Sequence, residues 1–553
     1  MNFSKNDFIF LPLGGSDEIG MNANLYHFNG SWILVDLGIS FADDNMTGID
    51  ILLPDLSFLE DKMNNLKAIF LTHGHEDHMG AIQYLWQKIN VPIYGSSFTI
   101  GLLKRKLKEN RLLNNLNLKT FVPSEEINIG PFSVKPLRIT HSIPDPCSFL
   151  IKTKVGNIFH TGDWKFDSNP LVGKPTDIDE LKTISEDGIL GIVGDSTNSM
   201  VEGKTQSEEV VFKDIEKLIS ESTGKVFITC FASNLARIKS IIQASRKNNK
   251  EIILAGKAIE RIIDVAQELG YLEKDHVFPS LNKIKNIPKN KIVIIAAGSQ
   301  GESRSAMTRI AQGRHDKISA EEGDIAIFSS SQIPGNELAI ARVHDSFISN
   351  GIEVITDKDA LIHVSGHPGK EDIAELYNIL KPKISIPVHG TKRHIKHHGM
   401  IAKNCNVNFC LEPVNGSIIK ISHNSPEILG NIETGAVIPD GTQLIDKDSI
   451  IFSQRRKMLW NGSVSASVII DESGDVVSPI QLFQNGLTEG DSEREWFSET
   501  LEEIEESIFS LNNSKKLDDS VIKDSIRKSI KYVTKTFFSR DPIINIHVIR
   551  ING

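Results

Sequence analysis

The amino-acid sequence predicts a multidomain α/β protein, and three observations carry that expectation. A chain of 553 residues is too long for one hydrophobic core, so about three domains are expected. Apolar strand-like runs alternate with segments of helical spacing up to about residue 200, and alternate again between 205 and 360, where the pattern implies a parallel sheet. Several of these runs end in His or Asp, at the strand ends where α/β and sandwich folds place functional loops.

Composition narrows the class. An apolar fraction of 40% and a charged fraction of 24% are those of an ordinary soluble protein. No apolar run approaches the roughly 18 to 20 residues that span a membrane. The start, Met1-Asn-Phe-Ser-Lys-Asn-Asp7, has no signal-peptide pattern. Cys147, Cys230, Cys405 and Cys410 fit neither a disulfide framework nor zinc spacing, so reduced thiols and a cytoplasmic location are expected. A net charge of -10 argues against nonspecific coating of nucleic acid. Basic runs at Lys104–Lys108 with Arg111 and Lys119, at Lys283–Lys291 and at Lys392–Lys396 could line a phosphate-binding groove, although such runs are usually solvated faces.

Taken in order, Phe8–Leu13, Asn24–Phe28 and Ser31–Asp36 read as strands, with Gly14-Gly15, Gly20 and Gly38 permitting tight turns and Asp36 able to anchor a loop end. Phe41–Asp55 is long and irregular, a lid or a surface loop. Leu66–Thr72 reads as a buried strand and Met79–Lys88 as a helix. The turn between them, His73-Gly-His75-Glu-Asp77-His78, places four potential metal ligands within six residues. Imidazole nitrogen with carboxylate oxygen suits zinc, and related divalent ions follow by geometry. Three His and one Asp exceed what one catalytic ion takes from a single loop, because that ion keeps a position open for water. Two ions sharing the loop is a simpler reading than a solvated, His-rich turn.

Further ligands stand at later strand ends. His141 and Asp163 end two apolar runs, Gly188–Val193 leads into Asp195, and Leu361–His363-Val-Ser365-Gly366-His367 and Ile384–His389 repeat the arrangement of apolar strand followed by His. His141, Asp163 and His389 then complete a tally sufficient for two ions. Strands are expected at Lys225–Cys230, Glu251–Ala255, Lys291–Ala297 and Asp324–Ser329 in the middle of the chain. After a connecting segment, the C-terminal part shows a hairpin-like Val464–Ile480, helices near Ser492–Leu511 and Asp518–Phe538, and a final strand Ile543–Ile551, with no catalytic constellation. Trp460 and Trp496 read as core or interface anchors.

These residues carry a resemblance. His73-x-His75-x-Asp77-His78, His141, Asp163 and His389 resemble the ligand series of the metallo-β-lactamase superfamily. Asp195, Thr229-Cys-Phe-Ala-Ser233-Asn234, Ala297-Gly-Ser-Gln300-Gly-Glu302 and His363-x-Ser365-x-His367 resemble its nucleic-acid-cleaving β-CASP branch. Within that branch the chain is similar to the ribonuclease J family over essentially its full length, from Gly14-Gly15-x-x-Glu18-Ile-Gly20 through the stretch Phe328–Glu337 to the end.

The resemblance implies an αββα sandwich from residues 1–204 and 361–440, a β-CASP α/β domain inserted at 205–360, a linker at 441–460, and a small α/β domain at 461–553 that supports dimerisation. It implies one ion held by His73, His75 and His141, a second by Asp77, His78 and His389, and Asp163 bridging them. Zinc is the first choice of ion, with manganese and magnesium as alternatives. Asp77 and Asp195 would serve the metal centre, and His367 would donate a proton to the leaving oxygen. Ser233, Asn234, His363, Ser365 and the amide of Gly366 would hold a 5′-monophosphate. Ser233 and Asn234 also suit a cap for the helix from Leu235, and the two roles are compatible because a helix N-terminus is itself an anion site.

The implied activity is 5′-to-3′ degradation of single-stranded, 5′-monophosphorylated RNA with internal cutting, in RNA maturation (rRNA processing included) and decay, by a homodimer or homotetramer. The rivals are a β-CASP nuclease acting on DNA, and an RNA-binding scaffold that has lost catalysis. The scaffold predicts missing ligands, and none is missing. Two departures from the family pattern stand out: Lys257 where Arg is common, and Thr391 where Glu often follows the His-Gly pair.

Overall fold

Strands covered on both faces read as continuous apolar runs, and Phe8–Gly14 and Ala23–Phe28 are buried at every position. They lie near the middle of an eight-stranded sheet ordered Glu427–Asn431, Ser417–Ile421, Phe8–Gly14, Ala23–Phe28, Ser31–Val35, Leu66–Phe70, Ile93–Gly95 and Leu118–Thr120. A seven-stranded sheet follows the order Phe409–Cys410, Ile384–Val388, Gly191–Asp195, Asn157–His160, Cys147–Lys152, Phe132–Arg138 and Ile127–Ile129. The computed structural model describes residues 3–42, 46, 48–274, 276–333 and 335–551.

The two sheets pack face to face. Phe10, Tyr26, Val35 and Phe70 of the first meet Phe132, Phe149, Ile158 and Ile386 of the second in one buried cluster. The outer face of the second sheet is covered by the helices Ile178–Glu186, Lys370–Leu380 and Lys392–Asn404, through Leu181, Leu376 and Ile401. The outer face of the first is covered by Ser97–Glu109 through Phe98, Leu102 and Leu107. The architecture is therefore the expected αββα sandwich, and the strand ends His141, Asp163, Asp195 and His389 belong to its second sheet and the loops that leave it.

The middle of the chain forms an all-parallel sheet ordered Glu251–Ala255, Ile292–Ala296, Val226–Thr229, Ile325–Phe328 and Glu353–Ile355. Glu353–Ile355 is a fifth strand beyond the four expected; three residues after Gly351 are too few for a periodic signal. The insert joins the sandwich through Val265, packed against Gly101, through the ion pairs of Arg261 with Glu109 (2.8 Å) and Arg105 with Glu268, and through the Tyr271 hydroxyl, which donates to Asp145 Oδ1 at 2.5 Å.

Three local expectations change. The Met79–Lys88 helix is broken into the single turns Glu76–Met79 and Ile82–Leu85 followed by a 3₁₀ turn. The carbonyl of Asp77 accepts from Asn22 N (2.9 Å), and Ala81 N donates to Leu37 O (3.1 Å), so the continuous i to i−4 ladder is traded for bonds to the neighbouring loop. Leu361–His367 is irregular rather than a strand. In the Phe41–Asp55 stretch, residues 43–45 and 47 lie outside the described residues, while Ile51–Pro54 pairs with Ser40–Phe41 and with Ala436–Asp440.

The unit from Leu444 onward has its own core. Its sheet runs Gln481–Asn485, Ser463–Ile470, Ile543–Arg550, under the helices Asp491–Phe509 and Asp519–Phe538. Ser463–Ile470 alternates buried and half-buried, as one covered face requires. The hairpin turns at 471–475, where Val477 N donates to Ile469 O (3.0 Å), and its regular ladder continues beyond Pro479, which has no N–H to donate, on Gln481–Asn485. The expected connecting segment ends in a helix, Ile450–Asn461. Trp496 is fully buried and donates Nε1–H to Thr534 Oγ1 (3.1 Å), whereas Trp460 is 74% exposed and anchors no core. No described helix is long and apolar enough to cross a membrane.

One backbone approach ties this scaffold to the His-rich turn. Leu37 N donates to His78 O (2.7 Å), Ile39 N to Glu76 O (3.0 Å) and Gly38 N to Asn22 O (2.9 Å). A Cβ on Gly38 would lie 1.6 Å from the Asp77 carbonyl oxygen, so only glycine fits. Gly38→Ala is expected to cost at least about 3 kcal/mol, the upper end for overpacking, seen as a lowered Tm together with loss of bound metal.

Candidate metal centre

The site is built on Asp36, which ends the strand Ser31–Val35 in a left-handed conformation (φ 64°). Its Oδ1 accepts from Thr72 N (2.8 Å), and its Oδ2 accepts from Thr72 Oγ1 (2.8 Å) and His78 Nδ1 (2.7 Å). A carboxylate that takes the Nδ1–H of an imidazole fixes the tautomer and aims Nε2 outward as a ligand. The loop after Leu66–Phe70 is thereby clamped before its ligands are placed.

Seven side chains converge. His73, His75, His141 and Asp163 form one group, and Asp77, His78, Asp163 and His389 a second, with ligand atoms of each group within 4.8 Å of one another. Asp163 belongs to both. Its Oδ2 lies 3.6 Å from His73 Nε2 and 3.7 Å from His141 Nε2, while its Oδ1 lies 3.2 Å from His78 Nε2 and 3.4 Å from His389 Nε2. In the first group His75 Nδ1 is 2.9 Å from His73 Nε2 and 3.2 Å from His141 Nε2. In the second, Asp77 Oδ2 is 3.5 Å from His78 Nε2 and 3.6 Å from His389 Nε2. His141 is oriented by its Nδ1–H, which donates to Gly366 O at 2.7 Å.

The electrostatics divide along the same line. Burial, reinforced by the neighbouring imidazoles, lowers His73 and His141 well below the usual range and His75 to about 3, so this group is neutral and free to ligate. Burial pushes His78 and His389 down as well, but Asp163 and Asp77 outweigh it and raise both. Burial would raise Asp163, yet His78, His389 and His367 hold it well below the usual carboxylate range.

The residues fit a pair of divalent ions. Among the described residues, Asp163 Oδ1 is buried without a hydrogen bond, and so is the second nitrogen of His75, Nε2. Such groups are costly unless satisfied, and the donor set of five imidazoles and two carboxylates is that of zinc and its borderline relatives.

Beside the second group, Asp195 Oδ2 meets His367 Nδ1 at 2.8 Å, and Asp195 Oδ1 accepts from Thr197 N (2.9 Å) and Oγ1 (2.7 Å). Burial alone would lower His367; Asp195 and Asp163 raise it to about 9. Asp163, Asp195, His367 and His389 also lie within 4.8 Å of one another, so His367 adjoins the ligand groups.

The irregular stretch 361–367 brings His363, Ser365 and Gly366 alongside. Ser365 Oγ accepts from Asn198 Nδ2 (2.8 Å) and His367 N (3.1 Å). A Cβ on Gly366 would come 2.7 Å from His141 Cε1, which the absence of a side chain avoids. Among the described residues His363 Nδ1 is buried without a partner, and burial with Arg237 and Lys165 nearby lowers this imidazole to about 3.

Asn234 caps the helix Leu235–Lys247 by accepting from Arg237 N (2.9 Å), and its amide donates to Glu208 Oε1 (3.1 Å). Ser233 is half-buried, and its hydroxyl makes no hydrogen bond among the described residues. These two residues are joined to the 361–367 stretch through Arg237, which sequence reasoning missed: a lone Arg in an amphipathic helix reads as solvated, whereas Arg237 is fully buried. Of the basic runs, Lys106 pairs with Glu76, Arg105 with Glu268, Lys289 with Glu321 (2.6 Å) and Lys392 with Asp17 (3.3 Å). Thr391 caps the helix Lys392–Asn404, and Lys257 is exposed at the start of Lys257–Glu268.

Comparison with known proteins agrees with this fold. Residues 19–205 match the metallo-beta-lactamase superfamily, 223–347 the ribonuclease J beta-CASP domain, 351–405 the Zn-dependent metallo-hydrolase RNA specificity domain, and 450–551 the ribonuclease J C-terminal domain. The chain is 36% identical to a ribonuclease J of Sinorhizobium meliloti over 99% of its length and 98% of the relative's. It is 32% identical to ribonuclease J2 of Bacillus subtilis over 97% of each chain. It is 34% identical to a ribonuclease J of Thermus thermophilus over 84% of this chain and 82% of that one. A solved structure of a protein of unknown function from Enterococcus faecalis shares the fold, with a TM-score of 0.53 and 16% identity over 75% of this chain and 100% of that chain.

Asp163 serves both ligand groups, so its loss should affect both. Asp163→Ala is expected to lower the bound divalent metal from about two ions per chain to one or none, measured by elemental analysis after dialysis against trace metal.

Proposed function

The chain belongs to the ribonuclease J family of metal-dependent ribonucleases, and from that premise we propose that it removes nucleotides processively from the 5′-monophosphorylated end of single-stranded RNA and also cuts internally. The observation that carries this reading is the bond from His141 Nδ1 to Gly366 O. The stretch bearing the phosphate donors His363, Ser365 and the Gly366 amide is fastened to a metal ligand, so a 5′-phosphate bound there is held at a fixed spacing from the reacting bond.

His73, His75, His141 and Asp163 would hold one ion, and Asp77, His78, His389 and Asp163 the other, with zinc the first choice and manganese or magnesium as alternatives. Bound there, the ions supply an activated water nucleophile and neutralise charge developing on the phosphoryl group. The remaining chemistry belongs to side chains. Water adds to phosphorus as the P–O3′ bond breaks, which leaves the phosphate on the next nucleotide and regenerates the end that the pocket recognises. His367 gives the departing oxygen a proton, and Asp195, bonded to its Nδ1, holds the imidazolium in place beside the ligand groups. Ser233 donates its hydroxyl to the 5′-phosphate, with the capped helix from Leu235 presenting its N-terminus behind it.

In this reading residues 1–204 and 361–440 form the catalytic sandwich, 205–360 the β-CASP insert, 441–460 a linker and 461–553 a domain that supports assembly as a homodimer or homotetramer. The enzyme works in the cytoplasm in RNA maturation and decay, ribosomal RNA included.

The test uses metal-defined enzyme and one RNA sequence bearing a 5′-monophosphate, a 5′-triphosphate or a 5′-hydroxyl, with product lengths followed over time. Mononucleotides are expected first from the monophosphate substrate. Equal internal cutting of all three would contradict exonucleolytic action, and faster turnover of a matched DNA strand would favour a DNA nuclease. His75→Ala is expected to abolish hydrolysis while RNA binding persists.

A further inference from the structure

Arg237 and Glu208 form a buried ion pair that the proposed chemistry leaves without a role. Arg237 is fully buried and Glu208 is 2% exposed. Arg237 Nε donates to Glu208 Oε2 (3.0 Å) and Nη2 to Glu208 Oε1 (3.1 Å). Nη1 faces three acceptors: Ser329 O (2.8 Å), Ser329 Oγ (2.6 Å) and Ile362 O (2.6 Å). Ser329 Oγ also donates to Ile362 O (2.7 Å). With its fork used in this way and no surface exposed, Arg237 cannot itself grip a phosphate. Taking two charges out of water is costly, so what this pair holds in place matters.

Its acceptors lie where an α/β sheet forms a binding crevice. The strands Val226–Thr229 and Ile325–Phe328 are neighbours, and the chain leaves them in opposite directions across the sheet, a topological switch point. Ser329 follows one of these strands, and Ser233-Asn234 follow the other. Ile362 is the residue before His363, in a stretch that is not a strand and that the guanidinium fastens instead. The far side of the pair continues to the metal ligands. Glu208 lies two residues after Gln206, whose carbonyl accepts from Lys165 Nζ (2.9 Å). Lys165 N donates to Thr140 O (2.8 Å) and Thr140 Oγ1 to Lys165 O (2.6 Å), which ties the loop of Asp163 to that of His141.

We infer that Arg237, through Glu208, is a positioning residue for 5′-end recognition: it sets the distance between the Ser233–Asn234 turn, the His363–Gly366 stretch and the two metal-ligand loops. This inference rests on the proposed 5′-monophosphate pocket and adds the element that aligns its two halves. Arg237→Lys keeps the charge and loses the fork. A positioning role predicts a selective defect, because an RNA without a 5′-phosphate does not use the alignment.

The experiment measures kcat and KM of the full-length, metal-loaded enzyme on matched 5′-monophosphate and 5′-hydroxyl RNAs and on a circular RNA. For Arg237→Lys the ratio of kcat/KM between monophosphate and hydroxyl substrates is expected to fall roughly ten- to a hundredfold, the range spanned by hydrogen bonds to charged groups. The loss should sit mainly in KM for the monophosphate RNA, with the circular substrate affected less. A ratio unchanged, or a parallel loss on all three substrates, would overturn the inference. Ser329→Ala removes one acceptor and leaves the ion pair; it should lower the same ratio by a smaller factor, and if Arg237→Lys does not fold, an unchanged ratio in Ser329→Ala overturns the inference by itself. Wild-type enzyme that does not distinguish the two ends would overturn the pocket reading beneath it, an outcome visible before any variant is made.

Discussion

The site depends on one buried carboxylate. Asp163 is 3% exposed, and imidazoles of His73, His78, His141 and His389 surround it within 3.7 Å. A charge in such a place is costly unless it is paired or coordinates metal. Both carboxylate oxygens face nitrogen ligands, and the two oxygens face different sets, so the geometry asks for positive charge on each side. Everything nearby fixes where those ligands stand: Asp36 clamps Thr72 and His78, Gly38 lets the adjoining loop pass against Asp77, and Gly366 lets its backbone reach His141.

The sandwich carries these residues because its loops converge. The ligands come from a strand-to-turn junction of the first sheet and from strand ends of the second, and the two sheets are pressed together by large aromatic side chains such as Phe10, Phe70, Phe132 and Phe149. A rigid double sheet of this kind places loops more than three hundred residues apart in sequence against one another. The insert is tied down by charged and hydroxyl contacts at Glu109, Glu268 and Asp145, and Asp145 lies in the loop that follows His141.

Features with dense or periodic signals were legible in the sequence. Four potential ligands within six residues marked the candidate metal turn, and repeated apolar runs ending in His or Asp pointed to His141, Asp163 and His389. The parallel sheet of the insert followed from alternating segments, whereas the layers of the sandwich were implied by the family resemblance. Most of what escaped shares a physical cause, a bond to a partner distant in sequence. The helix expected from Met79 is broken because Asn22 and Leu37 take its hydrogen bonds. The run Leu361–His363 looks like a strand but is irregular, its Ile362 carbonyl taken by Arg237 and Ser329. Arg237 reads as a surface residue because its partner Glu208 lies 29 positions away. The short strand Glu353–Ile355 had no periodicity to detect.

Sharing of Asp163 between two ions would leave a direct crystallographic signature. Anomalous diffraction from crystals of the zinc-loaded protein, recorded above and below the zinc absorption edge, addresses it directly. Two peaks are predicted, one among His73, His75 and His141 and the other among Asp77, His78 and His389, each adjoining a different oxygen of Asp163. A single peak, or peaks that leave Asp163 outside the coordination of either ion, would contradict the account.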